Sequence, residues 1–277
     1  MNENKMSPVL KWAGGKTQLL NCIKERMPLS YNNYFEPFLG GAAVLLNFMP
    51  QKAFVSDINR QLVNVYEQLK ISSESLIEKV NALDSLPCSK ELYYKLRERY
   101  NLKIANNELD TECAALMIWI NKHCFNGLYR VNGSGMFNVP FNNRTNGKSI
   151  DEGNLREVSE YLRNADVAIA CLDFEEACNG VMPGDFVYFD SPYIPESETA
   201  YFTDYTVNGF SENDHKRLAA LFKRLDRIGA RLMLSNNDVP LIYSLYEGYN
   251  IQSIDVKRMI NSNAVKRTGK EVLITNY

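Results

Sequence analysis

The segment of residues 33–57 constrains the fold most strongly. A short apolar strand runs into a glycine turn in NYFEPFLGG, a helical stretch follows in AAVLLNFM, and a second strand, AFVSD, ends at Asp57. An amphipathic helix with Leu62, Val63, Tyr66 and Leu69 on one face begins directly afterwards. A strand–helix–strand–helix unit with a glycine-rich first turn predicts a doubly wound α/β fold.

The alternation of strands and helices is then interrupted and later resumes. Residues 72–122 read as mostly helical, and residues 126–146, rich in Asn and Gly, predict an ordered hairpin or loop. Further strands follow in DVAIACLDF, GDFVYFD and ARLMLSNN, and a closing hairpin in YNIQSIDV and EVLITNY. We therefore predict a catalytic and cofactor-binding domain of residues 1–58 and 165–277, with an inserted, mainly helical domain of residues 59–164.

One helix of the second half has clear signals at both ends. The stretch begins with a Ser-x-x-Asp capping pattern at Ser211 and ends at Gly229. The predicted apolar stripe between these ends consists of Leu218, Leu221, Phe222, Leu225 and Ile228. We expect this stripe to pack against the sheet.

Composition excludes several classes of protein. No apolar run approaches the length of a membrane span, and the first residues lack the core of a signal peptide. The six cysteines include no Cys-x-x-Cys pair, and there are only two histidines. This pattern argues against a zinc site, a disulfide framework and a His-based triad, and it predicts reduced thiols in a cytoplasm.

Charge is distributed unevenly although the net charge is only −2. Two segments, residues 121–149 and 257–270, contain basic but no acidic side chains. Two basic patches on a mildly acidic chain fit a surface that meets phosphates on one side. Ordinary solvated loops explain the charge pattern equally well.

The stretch KWAGGKTQLL at residues 11–20 invites comparison with a phosphate-binding loop. Such a loop requires Gly-x-x-x-x-Gly-Lys-Ser/Thr, because the first glycine lets the backbone curl around the phosphates. Counting back from Gly15 places that first glycine at position 10, which is Leu10. No strong strand precedes the stretch either, so the stretch does not meet the requirements of a P-loop, and a P-loop ATPase stays only as a distant alternative.

Six motifs follow one another in a fixed order: KWAGGK, FEPFLGGA, SDIN, FNGLYRVN…GMFNVPF, DFEEA and DSPYIP. Together they resemble the Dam-type N6-adenine DNA methyltransferases, and in particular the GATC-methylating branch, over residues 11–277. The resemblance implies an S-adenosylmethionine-dependent methyltransferase fold with a Rossmann-like mixed sheet. It also implies methylation of the exocyclic amine of adenine, S-adenosylmethionine as cofactor and a target-recognition role for the insert. The expected partner is double-stranded DNA in the cytoplasm, with functional pairing to a restriction endonuclease as a further possibility.

The same resemblance implies a set of cofactor-binding residues. Trp12 and Lys16 would line the pocket, and the glycine turn would cradle the methionine portion. Asp57 would accept hydrogen bonds from the ribose hydroxyls. Core packing of the phenylalanines and an N-cap role for Asp57 remain open alternatives. The full set is Trp12, Lys16, Phe35, Glu36, Pro37, Phe38, Gly40, Asp57, Asp173, Phe174 and Asp190.

The DSPY motif carries the implied chemistry, with Asp190, Ser191, Pro192 and Tyr193 as catalytic residues. Two acceptors, the Asp190 carboxylate and the carbonyl of residue 191, would face the hydrogens of the target amine. Tyr193 would stack on the base after it is flipped from the duplex. The chemistry requires no metal. The usual motif of the family is Asp-Pro-Pro-Tyr; Ser191 leaves open a cytosine-amine target or a catalytically weak DNA-binding relative.

The insert is expected to read the DNA sequence. By resemblance to the recognition hairpin of the GATC-methylating members, Arg130 would contact guanine in the major groove. Arg144 stands where the family often supplies an aromatic side chain. Five basic residues near the carboxyl terminus, the four that end the list below and Lys270, are assigned to phosphates. The predicted DNA-binding residues are Asn126, Leu128, Arg130, Asn132, Asn138, Arg144, Lys257, Arg258, Lys266 and Arg267.

Overall fold

The computed structural model describes residues 6–16, 18–195, 209–257 and 268–277. The described residues form one seven-stranded sheet in the order β3-β2-β1-β4-β5-β7-β6. Strands β1 to β5 run parallel to one another, and β7 lies between β5 and β6 and is antiparallel to both. The strands are β1 Tyr34–Glu36, β2 Lys52–Ser56, β3 Asp166–Ala170, β4 Phe186–Phe189, β5 Arg231–Asn237, β6 Asn250–Lys257 and β7 Thr268–Thr275.

Helices connect and cover these strands. A 3-10 turn, Phe125–Gly127, follows the long central helices. Within the described ranges no helix is both long and apolar enough to cross a membrane. The helices are α1 Leu20–Arg26, α2 Ala43–Phe48, α3 Arg60–Asp84, α4 Lys90–Ala105, α5 Thr111–His123, α6 Glu152–Asn164, α7 Phe174–Ala177, α8 Glu212–Ile228 and α9 Pro240–Leu245.

The strand order confirms the predicted doubly wound α/β fold. From β1 the chain proceeds to β2 and β3 on one side, and later to β4 and β5 on the other. The two sides meet between β1 and β4, and a crevice at this switch point is where doubly wound sheets bind ligands. The predicted closing hairpin is also confirmed, as β6 and β7. The topology therefore brings the end of β1 and the end of β4 to one edge.

The residues of the central strands alternate between two hydrophobic clusters. Tyr34 and Tyr188 lie in a cluster shared with α3 to α6, whereas Phe35 and Val187 lie in a second cluster shared with α8. This alternation is the period of two expected for strands buried on both faces. The first cluster joins the strands to the helices of the insert, so it does not separate the two domains. The division into residues 1–58, 59–164 and 165–277 remains a prediction.

The signals predicted for α8 are confirmed with one exception. Ser211 and Asp214 form a reciprocal capping box, and Gly229 ends the helix in the left-handed region at a φ of 93°. Leu218, Leu221, Phe222 and Leu225 are buried, as expected of the stripe, whereas Ile228 is 41% exposed. The stripe therefore ends one turn before the helix does.

The predicted hairpin of the insert is confirmed. Val131 and Phe137 form an antiparallel bridge. The side chain of Asn101 on α4 exchanges two hydrogen bonds with the backbone of Phe137, at 2.9 and 3.0 Å. The hydroxyl of Tyr93 donates to the carbonyl of Val139 at 2.8 Å. Side chains of α4 thus provide hydrogen bonds to the hairpin backbone that a neighbouring strand would provide in a sheet.

Candidate active site

Asp190 stands directly after β4, at the edge where the two halves of the sheet meet. Its Oδ1 atom accepts hydrogen bonds from Lys16 Nζ at 2.7 Å and from Ser235 Oγ at 3.0 Å. Burial raises the pKa of this carboxyl, while the charge of Lys16 and the two hydrogen bonds act in the opposite direction. Asp190 is therefore a partly desolvated acceptor whose charge is balanced by one nearby cation.

Lys16 is a buried cation, with only 5% of its side chain exposed. Besides its ion pair with Asp190, the ammonium donates to the carbonyl of Gly14 at 2.6 Å. It also lies 4.4 Å from the ring centroid of Tyr193. A buried charge requires such partners. The first sequence motif thus makes direct contact with two residues of the DSPY motif.

The loop that follows β4 is held by the end of β5. Asn236 Oδ1 accepts from the backbone amide of Ile194 at 2.9 Å, and Asn237 Nδ2 donates to the carbonyl of the same residue at 2.7 Å. Asn236 Nδ2 also donates to the hydroxyl of buried Ser191 at 3.4 Å. These asparagines were not among the predicted site residues, although their position at the carboxyl end of an apolar strand is a usable signal.

The ring of Tyr193 is oriented by β7. Its hydroxyl donates to Glu271 Oε2 at 2.9 Å. Pro192, the third residue of the motif, is half-buried beside it. The DSPY loop is therefore fixed at its tyrosine as well as at Ser191 and Ile194.

The glycine turn after β1 packs beneath Trp12. Gly40 has a φ of 49°, and a Cβ at this position would lie 3.1 Å from the indole ring. The Gly40 amide donates to Asp57 Oδ2 at 2.9 Å, and the Asn59 amide donates to Asp57 Oδ1 at 2.9 Å. Asn59 itself caps α3 by accepting from the Leu62 amide, so the N-cap alternative for Asp57 is wrong. Asp57 instead fixes the turn, and burial raises its pKa.

The other residues of FEPF lie deeper. Phe35 is buried against Phe54, with ring centroids 5.9 Å apart. Glu36 is 2% exposed, and burial raises its pKa to about 8, although it accepts a hydrogen bond from the hydroxyl of Tyr34 at 2.8 Å. The carbonyl of Pro37 accepts from the Ser56 hydroxyl at 3.4 Å. These residues support the turn from the core.

An aromatic pair flanks the same edge. Phe38 stacks on Phe174 with ring centroids 5.4 Å apart and an interplanar angle of 25°. Asp173 caps the short helix α7 by accepting from the Glu175 amide. Arg217 of α8 pairs with Asp173 at 3.0 Å, and its guanidinium carbon lies 4.8 Å from the Phe174 ring centroid. Asp173 therefore helps to hold Phe174 in place, through the cap of α7 and through Arg217.

The arrangement fits a nucleoside-containing cofactor with a charged tail. The glycine turn brings the backbone at Gly40 against Trp12, and the Phe38 ring of the aromatic pair is only half-buried. Asp57 keeps acceptor capacity, since a carboxylate has about four lone-pair sites and backbone amides use only part of them. Lys16 supplies a cation at the same edge.

The hairpin closed by the Val131–Phe137 bridge has Arg130 on its surface. Arg130 is exposed, and its Nε donates to Asn138 Oδ1 at 2.8 Å. The side-chain oxygen of Asn132 accepts from the amides of Ser134 and Met136, so this side chain builds the hairpin turn. The hairpin therefore holds one guanidinium in a defined position.

The remaining predicted DNA-binding residues are spread more widely. Asn126 is exposed in the left-handed region with a φ of 56°, Leu128 is half-buried and Arg144 is exposed. Lys257 is the last described residue of β6. The other three, Arg258, Lys266 and Arg267, lie outside the described residues.

The first motif is also anchored on the insert. Asn121 Oδ1 accepts from the Lys11 amide at 2.9 Å, and Asn121 Nδ2 donates to the Lys11 carbonyl at 3.0 Å and to the Gly127 carbonyl at 3.2 Å. Trp12 stacks on Tyr129 of the hairpin with ring centroids 5.2 Å apart. Residues 11–16 thus reach from the hairpin of the insert to Asp190.

A doubly wound sheet with a glycine turn and an acidic acceptor at its switch point is the framework of a nucleotide-type cofactor enzyme. Residues 12–260 match the D12 class N6 adenine-specific DNA methyltransferase family, and the chain belongs to this family. It is 43% identical to the type II methyltransferase M1.LlaDCHI of Lactococcus lactis subsp. cremoris, over 100% of this chain and 97% of the relative. It is also 43% identical to the type II methyltransferase M.MjaIII of Methanocaldococcus jannaschii, over 99% and 100% of the two chains. The DNA adenine methylase of Escherichia coli K12 is 31% identical, over 97% and 94%.

The predicted resemblance and enzyme class are confirmed by these matches. The chain is an adenine-specific DNA methyltransferase, and the family implies S-adenosylmethionine as the methyl donor. A target amine on cytosine, the alternative raised by Ser191, does not agree with the adenine specificity of the family. The roles of individual residues remain predictions.

Proposed function

We propose that the enzyme transfers the methyl group of S-adenosylmethionine to the exocyclic amine of adenine within GATC in duplex DNA. The observation that carries the proposal is the position of Asp190, directly after β4 and beside the glycine turn that follows β1. Here a carboxylate can face both a bound cofactor and a base that enters from outside the sheet. The names of the relatives, type II methyltransferases, support functional pairing with a restriction endonuclease.

In the proposed mechanism Asp190 and the carbonyl of residue 191 act as hydrogen-bond acceptors. The amine of adenine is a poor nucleophile because its lone pair is delocalised into the ring. Acceptors aimed at its hydrogens favour a more tetrahedral nitrogen and stabilise the positive charge that develops there. The bound cofactor supplies a methyl group attached to a positively charged sulfur. The protein contributes alignment of the amine with that carbon.

Three contacts support the proposal that this site is pre-organised for catalysis. Lys16 opposes the effect of burial on Asp190, which favours the ionised form that accepts hydrogen bonds. Glu271 fixes the hydroxyl end of Tyr193, which pre-orients the ring for stacking on a flipped base. Asn236 holds Ser191, so the loop keeps a defined conformation although serine replaces the first proline of the family motif. These contacts favour an active enzyme over a weakened DNA-binding relative.

Specificity for GATC is proposed to depend on Arg130. Its Nε is engaged by Asn138, which orients the two terminal amino groups for a bidentate contact with guanine. Such a contact is worth about 1–3 kcal/mol of discrimination against other bases. Arg144 and the basic residues near the carboxyl terminus would add salt-dependent phosphate contacts.

The reaction can be tested by product analysis. Purified enzyme is incubated with isotopically labelled S-adenosylmethionine and plasmid, and the DNA is digested to nucleosides. Labelled N6-methyladenine is expected for the wild type, and none for Asp190→Ala, although that variant should still bind duplex DNA. Asp166→Ala, which removes an exposed carboxylate at the amino end of β3, serves as the matched control. Near-normal turnover by Asp190→Ala would refute the role assigned to Asp190.

Sequence recognition needs a separate measurement. Binding of Arg130→Ala is compared on duplexes that contain GATC and on duplexes with one base pair changed. Discrimination should fall by about 1–3 kcal/mol at one base pair, and Asn138→Ala should show a smaller loss at the same pair. An equal loss of affinity for every duplex would mean that Arg130 contacts a phosphate.

A further inference from the structure

Asp190 is joined to a chain of buried hydroxyl groups that the sequence analysis did not identify. The Tyr188 hydroxyl and Ser235 Oγ lie 2.9 Å apart, and Ser235 Oγ donates to Asp190 Oδ1 at 3.0 Å. Both Tyr188 and Ser235 are 0% exposed. Because an ionised carboxylate cannot donate, the single proton of Ser235 points to Asp190 and the Tyr188 hydroxyl donates to Ser235.

Both donors that the described residues supply to Asp190 reach the same oxygen. Lys16 Nζ contacts Oδ1 at 2.7 Å, and Ser235 Oγ contacts Oδ1 as well. Two donors that converge from different elements on one oxygen fix the rotation of the carboxylate plane. The second oxygen, Oδ2, is thereby held in one direction.

We propose that Ser235 is a positioning residue that fixes Asp190 through Oδ1 and presents Oδ2 to the amine of the target adenine. The inference rests on the proposed function, in which Asp190 accepts a hydrogen bond from that amine. Ser235 itself does not touch the substrate. Its contribution is to fix the rotation of the Asp190 carboxylate before the substrate binds. Asp190 then loses no rotational freedom during the reaction.

The placement of Ser235 agrees with this role. Strand β5 is parallel to β4, and Phe189 is paired with Leu234. The residues that follow this pair, Asp190 and Ser235, therefore lie side by side. The two residues that precede Ser235 on β5, Met233 and Leu234, are fully buried and apolar. A hydroxyl in such surroundings is costly unless it is hydrogen-bonded. Its partners Tyr188 and Asp190 belong to β4 or to the residue that follows it, and the hydroxyl of Tyr193 in the same loop also interacts with it.

The charged surroundings of Asp190 set the expected pH effect. Asp190 interacts with Lys16 from the first motif, Glu36 at the end of β1, Tyr188 on β4 and Tyr193 in the following loop. Glu271 on β7 lies behind Tyr193. A substitution at Ser235 leaves all of these groups in place. Loss of its hydrogen bond should therefore raise the pKa of Asp190.

The test compares single-turnover methyl transfer by the full-length wild type, Ser235→Ala and Ser159→Ala. Ser159 on α6 is an equally buried serine whose hydroxyl has no hydrogen-bond partner among the described residues. For Ser235→Ala the rate constant should fall about 10- to 100-fold, the range of a lost hydrogen bond to a charged group. The acidic limb of its pH profile should move to higher pH. The dissociation constants for S-adenosylmethionine and duplex DNA should stay unchanged, and Ser159→Ala should match the wild type.

Asp190→Asn distinguishes failure of the inference from failure of the proposed function. If Asp190→Asn methylates DNA at the wild-type rate, Asp190 is not the acceptor and both ideas are overturned. If Asp190→Asn is inactive while Ser235→Ala keeps the wild-type rate, only the role of Ser235 is overturned. A slower Ser235→Ala whose acidic limb has not moved also overturns it, because Ser235 would then act only through the fold.

Discussion

Glu36 provides a quantitative test of the electrostatics at the end of β1. Its carboxyl is 2% exposed, and burial raises its pKa from 4.5 to about 8. In the unfolded chain the same group ionises near its ordinary pKa. At neutral pH, folding therefore requires that Glu36 take up a proton. Replacing it with Gln should remove this requirement while keeping a similar shape and an acceptor for the Tyr34 hydroxyl.

The sign and size of the effect follow from proton linkage. The folded state binds more protons than the unfolded state between pH 4.5 and about 8, so the contribution of Glu36 to stability falls as pH rises through this window. Each pH unit corresponds to 1.36 kcal/mol, so the contribution should fall by about 2 kcal/mol between pH 6 and 7.5. Glu36→Gln lacks this contribution. Its free energy of unfolding relative to wild type should therefore rise by about 2 kcal/mol over the same interval.

The measurement is urea-induced unfolding of both proteins at pH 6 and 7.5. Other titrating groups are common to both proteins and cancel in the difference. Glu98→Gln, at an exposed position on α4, is the control and should show no change in the difference with pH. A difference between wild type and Glu36→Gln that is constant from pH 6 to 7.5 would refute the reasoning, because Glu36 would then be ionised in the folded protein.

Two further predictions concern stability. Gly127→Ala should lower the free energy of unfolding by at least about 1–2 kcal/mol, because φ is +64° and the new Cβ would overlap the side chain of Lys11. Gly133→Ala, which has open space around it, should lower it by less than half as much in the same urea assay. Equal losses for the two variants would contradict this prediction. Tyr66→Phe should be neutral or stabilising in thermal unfolding, because the buried Tyr66 hydroxyl has no hydrogen-bond partner within the described chain. Tyr93→Phe should lower the free energy of unfolding by about 1 kcal/mol, because it loses the hydrogen bond to the carbonyl of Val139. A larger loss for Tyr66→Phe than for Tyr93→Phe would show that the Tyr66 hydroxyl is hydrogen-bonded in solution.

The sequence predicted the main strands because buried parallel strands are apolar runs bounded by turns. The closing hairpin and the capping box of α8 were predicted for similar local reasons. The short helices α1, α7 and α9 were not predicted, since elements of four to seven residues contain too few turns to show a helical period. The alternative of an N-cap role for Asp57 is wrong because Asn59 holds the N-cap of α3, and the sequence alone does not separate the two since both residue types cap helices equally well.

The site was predictable where its residues follow strands. The glycine turn, Asp57 and Asp190 all occupy such positions, and the fold brings them to one edge of the sheet. The ion pair of Lys16 with Asp190 was not predictable, because the two residues are far apart in the sequence and their distance depends on the arrangement of the whole sheet. Ser235 was missed because its strand was judged by its apolar residues alone. A polar residue at the carboxyl end of a parallel strand is a signal in its own right.

The anchoring of residues 11–16 has a consequence for engineering new specificities. Lys11 and Trp12 are bonded to or stacked on the insert, while Lys16 ends on Asp190. An insert transplanted from a relative would lack the residues of that relative that correspond to 11–16. Chimeras cut at position 58 should therefore bind the new target site yet methylate it poorly. Exchanging residues 11–16 together with the insert should restore the yield of modified DNA.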